Sequence, residues 1–396
     1  MTEEAPPFGR LYLQVFACAA CVLPTASYVL AGFGWQPSAI GVGTALAGVA
    51  ATAAAPGWGW LDDRVRWAPP VALTGCAVAA ALTAATLGHV AHAVTWVGLA
   101  AFGATEGPLD AFLTTRILGS GRHAARLGSI RAFGSIGWVI GLVVAAAVLT
   151  AWPQHAEWVL YAAALLAITA PRSWGQRTRV HNADLAGPAP CRRRGGLGSL
   201  PLRPVLRVLA FTFPTSLVMS SVVQFTAGWA RQTLGAGPFL ALSPLALSAA
   251  LELPLFPVVD RLAVRLPAKA LAVLAGPPLA VATAVLALAP STVAVLLVQP
   301  LVAASFCLWF LGQSRMLAEA VPPGQQGAGQ TLGAALSSGA SSLLAGVVGG
   351  QVADALGYGG LFATLAGVSV SGAALGLVLA TTSHRHRVVA SDRTSR

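Results

Sequence analysis

Apolar runs of about twenty residues, separated by short charged or Pro/Gly-rich breaks, recur along the whole 396-residue chain. Twenty residues is the length an α-helix needs to cross the roughly 30 Å hydrocarbon layer of a bilayer. A helix also bonds every backbone N–H and C=O internally, which lipid requires. Twelve such spans are predicted, near 11–32, 38–58, 69–88, 93–115, 129–150, 155–171, 205–229, 238–258, 268–288, 292–312, 328–350 and 356–381. Six fall on each side of one long polar segment. The expected organisation is therefore an all-α polytopic membrane protein, with an N-terminal half over 1–171, a linker over 172–204 and a C-terminal half with a short tail over 205–396. Residues 1–10 are acidic and Pro-containing, unlike the basic start of a cleaved signal peptide, so the first run is expected to stay as a span.

Composition strengthens this reading. Hydrophobic residues make up 56% of the chain and charged residues only 9%, too few charges to cover a water-soluble globule. The net charge of +11 does not point to nucleic acid, because the basic residues are spread along the chain between apolar runs. With the N-terminus in the cytoplasm, 23 of the 24 basic residues fall in cytoplasmic loops or helix ends, and only Arg231 falls outside. The positive-inside rule thus places both termini and the linker on the cytoplasmic side of the cell membrane. Cys18 and Cys21 form the one CxxC, within an apolar run and without a second pair, and the histidines fall in loops or the tail. Neither a metal nor a cofactor is expected. No HExxH, GxSxG or P-loop occurs, so an enzyme is not expected either.

The two halves carry a repeat. Asp63-Arg64 follows the second span and Asp260-Arg261 follows the eighth, 197 residues apart. The fifth span opens near Gly128 with Arg131, Gly134 and Gly137, and the eleventh opens near Gly327 with Gln330 and Gly333, an offset of 199. Two landmarks at nearly one offset indicate six-helix halves in the same order, related by an axis along the membrane normal.

With these motifs in place the chain resembles the major facilitator superfamily: Gly59-x-x-x-Asp63-Arg64 between spans two and three, its weaker copy at Asp260-Arg261, and the 6+6 plan. The run from Leu127 through Arg131, Gly134, Ser135 and Gly137 to Trp138 resembles the start of helix five in the branch of lactose-permease-like, nucleoside–proton symporter-like and phenylpropionate-permease-like proteins. Pro108-Leu109-Asp110, Glu252-Leu253-Pro254 and the stretch 349–354 point to the same branch. The resemblance covers about residues 10–380. It implies that helix four lines a central cavity and that Asp63 caps helix eleven near Gly327. The chain departs from the branch where Val302 stands in place of a helix-ten His, so a mechanism that needs that His does not transfer.

Three carboxylates fall clearly inside predicted spans, Glu106, Asp110 and Glu252, and the others sit in loops or at helix ends. An acid at that depth costs a few kcal/mol and marks a functional position. Glu106 and Asp110 stand four residues apart on one helix face, where desolvation and mutual repulsion oppose ionisation of both. The alternative for Asp110 is an ion pair with Arg64 or Arg131 at an inner gate, and for Glu252 a structural ion pair with a neighbouring helix. Gly59, Asp63, Arg64, Asp260, Arg261 and Arg131 are read as gate residues. Gly134, Gly137 and Gly141 on helix five, with Gly339, Gly346, Gly349 and Gly350, are read as small faces on which helices of the two halves slide. Gln14, Ser220, Ser221, Gln224 and Gln299, with Tyr28, Phe225 and Trp309, are candidate cavity lining. The expected function is a monomeric secondary transporter of a small organic solute, coupled to protons and working by alternating access in the lipid bilayer. The alternative is a proton-coupled efflux antiporter of the same fold, and a non-transporting membrane sensor is the remote one.

Overall fold

The computed structural model describes residues 7–64, 68–87, 92–119, 127–169, 202–322 and 326–394. The 172–204 linker lies outside the described residues except for its last three, which already belong to a helix. The described residues form fourteen α-helices. In the N-terminal half these are α1 (Pro7–Gly32), α2 (Pro37–Arg64), α3 (Ala68–Thr86), α4 (His92–Gly119), α5 (Leu127–Ala151) and α6 (Glu157–Thr169). In the C-terminal half they are α7 (Leu202–Leu234), α8 (Pro238–Arg265), α9 (Ala268–Leu274), α10 (Gly276–Leu288), α11 (Thr292–Leu297), α12 (Gln299–Ala320), α13 (Gln326–Leu344) and α14 (Gly350–Thr394).

Twelve spans emerge from these helices because two spans are broken by proline. The ninth is α9 and α10, divided at Gly276-Pro277-Pro278, and the tenth is α11 and α12, divided at Gln299-Pro300. Proline has no N–H for the i−4 carbonyl and its ring crowds the preceding turn, so the helix kinks there. Spans eleven and twelve are divided within α14 at Gly357, whose φ of 71° lies in the left-handed region that glycine alone enters cheaply. Proline at the first helical position, where the N–H has no partner in any case, opens α1, α2 and α8. The second span runs to Arg64 rather than ending near 58, so the Gly59–Arg64 motif lies within its last turns.

Within the first half α1 packs on α5, α2 on α4, and α3 on α4 and α6; within the second, α8 packs on α12 and α10 on α14. Between the halves the principal contacts are α5 with α8, α2 with α13, and α1 with α7. Adding six to each span number turns the pair two–eleven into eight–five, and one into seven. The inter-half contacts therefore obey the twofold relation that the sequence repeat indicates.

Lipid gives helices no hydrophobic reason to associate, so contact depends on close approach. A Cβ at Gly137 would run into the Leu13 carbonyl, and one at Gly141 into the Ala17 carbonyl; one at Gly134 would sit 3.1 Å from the Phe16 ring. These glycines thus join α5 to α1 inside one half and not across the interface as the sequence reading expected. Close approach between halves falls instead to Gly41 against Gly346, Gly48 and Thr52 against Gly339, and Gly350 against Ser38. Gly346 lies in a π-helical turn, Ala345–Gly349, which bulges span eleven at this contact. Gly137→Val is expected to lower the thermal unfolding midpoint of the detergent-solubilised protein by several degrees, in line with the roughly 1–3 kcal/mol of overpacking. Gly57→Ala, with nothing within 4 Å of the new Cβ, is expected to leave it unchanged or raise it.

Candidate functional site

Between the halves lies a cavity of about 340 Å³. From the first half it is walled by Phe16 and Leu23 of α1, the small face of α2 (Thr44, Ala47, Gly48, Ala51, Ala55), α4 from Gly103 to Thr114, and Arg131 and Trp138 of α5. From the second half come Ser216, Met219, Ser220, Val223 and Gln224 of α7, Phe306, Trp309, Phe310, Gln313 and Ser314 of α12, and Gln330, Gly339 and Ser342 of α13. Helical spacing explains α4: Glu106, Asp110 and Thr114 repeat every four residues and so share the face turned to the cavity.

Arg131 is the cavity's fixed cation. It is 6% exposed, its Nε lies 3.7 Å from Asp110 Oδ1, and its guanidinium sits 3.9 Å from the centre of the Phe16 ring. Phe306 and Phe310, from the other half, lie 5.5 and 5.4 Å away. A buried guanidinium is tolerable when a carboxylate balances its charge and aromatic faces replace water. Of the two partners considered for Asp110, Arg131 is the one the structure supplies; the Arg64 side chain lies outside the described residues. Beside the pair, Tyr12 and Thr114 share a 2.9 Å hydrogen bond.

Glu252 is buried on α8 but is not a cavity wall. Its carboxylate accepts a 2.5 Å hydrogen bond from Ser135, one turn beyond Arg131 on α5. That contact crosses between the halves, and its partner is a neutral hydroxyl rather than the cation the alternative reading supposed. Gln224 also bridges halves: Thr44 donates to its Oε1 at 3.1 Å, while its Nε2 donates to the Ser342 carbonyl at 3.4 Å. Ser220 and Trp309 line the cavity, whereas Gln14, Ser221, Gln299, Tyr28 and Phe225 are not among its walls.

Sequence reasoning missed two amides. Gln313 accepts from Thr212 at 2.8 Å and from Ser337 at 3.2 Å, and Gln330 donates to the Ser314 carbonyl at 2.6 Å. Gln313 lay one residue past the predicted end of span ten, and Gln330 served only as a landmark of the repeat. Their shared signal was a neutral amide in an otherwise apolar or small-residue helix.

Both ends of the interface carry specific contacts. At one end Asp260 accepts from the backbone N–H of Ser129 at 3.0 Å and from its hydroxyl at 2.9 Å, in the first turn of α5. A carboxylate there meets unsatisfied N–H groups and the positive end of the helix dipole. Gly128 permits the approach, since a Cβ would stand 2.7 Å from Asp260 Oδ1. Nearby, Arg315 donates to the Ala263 carbonyl, and Arg261 is exposed. The equivalent cap expected from Asp63 on helix eleven, with Gly59 and Arg64, rests on side chains outside the described residues. At the other end Arg231 of α7 reaches α1: it donates to the Tyr28 carbonyl at 2.9 Å, lies over the Tyr28 ring at 4.4 Å and occupies the space a side chain at Gly32 would need. Beside it Gln232 donates to the Trp35 carbonyl at 3.3 Å and accepts from Tyr358 at 3.0 Å.

Known structures share this architecture. A crystal structure of a point mutant of the nucleoside transporter NupG superposes with a TM-score of 0.71 at 15% identity, over 94% of this chain and 98% of that one. One described as the human organic anion transporter MFSD10 (TETRAN) gives 0.64 at 16% identity, over 93% and 97%. None of the curated protein sequences matches the chain. The profile of the MFS_1-like family matches residues 9–364. Twelve helical spans in two like halves, a polar cavity between them and a family match over nearly the whole chain lead to one conclusion: this protein belongs to the MFS_1-like family and is a multi-pass membrane transporter of the major facilitator superfamily.

Proposed function

We propose that the protein is a proton-coupled symporter for a small organic solute, acting as a monomer in the cell membrane by alternating access, with both termini and the 172–204 segment cytoplasmic. The observation that carries this reading is the Asp110–Arg131 pair in the wall of an inter-half cavity, with Glu106 one turn from it. A solute hydroxyl placed between the pair donates to the carboxylate and accepts from the guanidinium, the two-way recognition for which a charged pair is suited. The solute then holds α4 and α5 of one half while α7, α12 and α13 close from the other.

Charge balance orders the proton sites. Protonating Asp110 while the pair is closed removes the carboxylate nearest to Arg131, and breaking a buried pair from one side is strongly unfavourable. Glu252 and Glu106 form no ion pair among the described residues, although both feel the Arg131 charge, so either takes a proton at a smaller cost. Asp110 becomes a proton site once a solute has parted it from Arg131. Glu252 is the better-placed carrier, since its hydrogen bond to Ser135 spans the interface that must open.

Proteoliposomes with an imposed pH gradient test this directly. NupG is described as a nucleoside transporter, so uridine is the first probe, with lactose and 3-phenylpropionate beside it. Accumulation of one of them, abolished by a protonophore, is expected. The triple variant Asp110→Asn, Glu252→Gln, Glu106→Gln should lose accumulation. If it still accumulates solute in response to the gradient, carboxylate coupling is wrong; solute moving against the proton current would make the protein an antiporter. Reporter fusions after Arg10 and Arg385 should both read cytoplasmic, and an external signal from either overturns the topology.

In this topology Arg231 and Gln232 close the external end and Asp260 the cytoplasmic end. Arg231→Gln is expected to speed labelling of a Ser220→Cys cavity thiol by an impermeant maleimide added outside, severalfold over the same thiol with Arg231 intact. Equal rates would mean that Arg231 is no lock.

A further inference from the structure

We propose that the indole N–H of Trp309 is the C-terminal half's hydrogen-bond donor to the transported solute. This rests on the transport reading above and adds a specificity-determining residue to the cavity. Among the described residues, six buried side-chain polar atoms lack a hydrogen-bond partner, and three of them belong to cavity walls: Asp110 Oδ1, Arg131 Nε and Trp309 Nε1. Asp110 Oδ1 and Arg131 Nε face each other as the ion pair of the N-terminal half, 3.7 Å apart, so of the three it is the indole N–H that has no partner at all. Buried polar groups are nearly always satisfied, so an unmet donor on a cavity-wall residue marks where a ligand supplies the partner. Trp309 stands in the C-terminal half, its ring tilted at 38° and 6.0 Å from Phe306, which stacks on Phe310.

An indole nitrogen donates and cannot accept. The solute therefore presents an acceptor, a carbonyl oxygen, ring nitrogen or ether oxygen, on the side turned to α12. The aromatic wall beside the donor suits a flat apolar face, and the Asp110–Arg131 pair suits a hydroxyl at the other side. The class is a neutral polar molecule with these three features; hydrophobic cations without an acceptor are excluded. Because the donor and the charged pair belong to different halves, only a solute that satisfies both bridges them.

The test measures uptake of the two neutral probes, uridine and lactose, by native protein and by Trp309→Phe, which keeps an aromatic ring and removes the N–H; uptake of the anion 3-phenylpropionate alone overturns the neutral class. For the probe that the native protein carries, KM is expected to rise about tenfold with kcat within twofold, the split that loss of a binding contact produces. Tenfold corresponds to about 1.4 kcal/mol, the scale of one neutral hydrogen bond. Trp309→His, which retains a ring N–H, should recover part of the loss. An unchanged KM in Trp309→Phe overturns the donor role and leaves the transport reading intact, and so does a fall in kcat alone, which marks a structural residue. If the native protein carries none of the probes, the proposed substrate class falls and this inference with it, while membership of the family stands.

Discussion

A single buried cation organises this protein. Arg131 is buried between the two halves, where an uncompensated charge is costly, and everything around it follows from that cost. Asp110 balances it at 3.7 Å, a separation at which opposite charges attract by about 4 kcal/mol at an effective dielectric near 20. Phe16 covers it from its own half, and Phe306 and Phe310 cover it from the other. The cation thus needs both halves in contact to be fully shielded. Any rearrangement that parts α5 from α12 removes aromatic cover and must offer water or solute in its place.

That requirement explains why α5 is the most constrained helix of the first half. Three of its residues meet the second half: Ser129 with Asp260, Arg131 with the α12 rings, and Ser135 with Glu252. An adjoining side is held against α1 by Gly134, Gly137 and Gly141. A helix glued to its own half and hydrogen-bonded to the other transmits movement as a rigid element. The glycines serve the rigid attachment, while the polar contacts are those that can be remade.

The spans were legible in the sequence because lipid imposes one length and one polarity on every crossing helix, and the half-to-half repeat because Asp260-Arg261 copies Asp63-Arg64. Asp110 was legible for a related reason, since a carboxylate at that depth is too expensive to be incidental, and Arg131 was legible only as a landmark of the repeat and of the helix-five motif. What could not be read was direction. Helical periodicity alone does not say whether the α5 glycines face α1 or α8, since both lie beside the same helix. Nor does it show that Glu252 faces Ser135 rather than a cation, or that Gln14 lies away from the cavity. Gln313 was hidden by a boundary: Pro300 splits span ten and the helix runs on to Ala320, so a residue assigned to a loop stands in the cavity wall.

The two ends of the molecule are closed by different chemistry. At the Asp260 end a carboxylate satisfies a helix N-terminus, a charge-assisted bond whose partners keep their positions in the sequence repeat. At the Arg231 end the contact is a guanidinium on a carbonyl and an aromatic face, and it has no copy in the other half. The repeat therefore supplies the symmetric framework of contacts between spans two and eleven and between five and eight, and the asymmetry needed for directional work is added by residues outside it. Arg231 itself is held in place over Tyr28 and in the space left by Gly32.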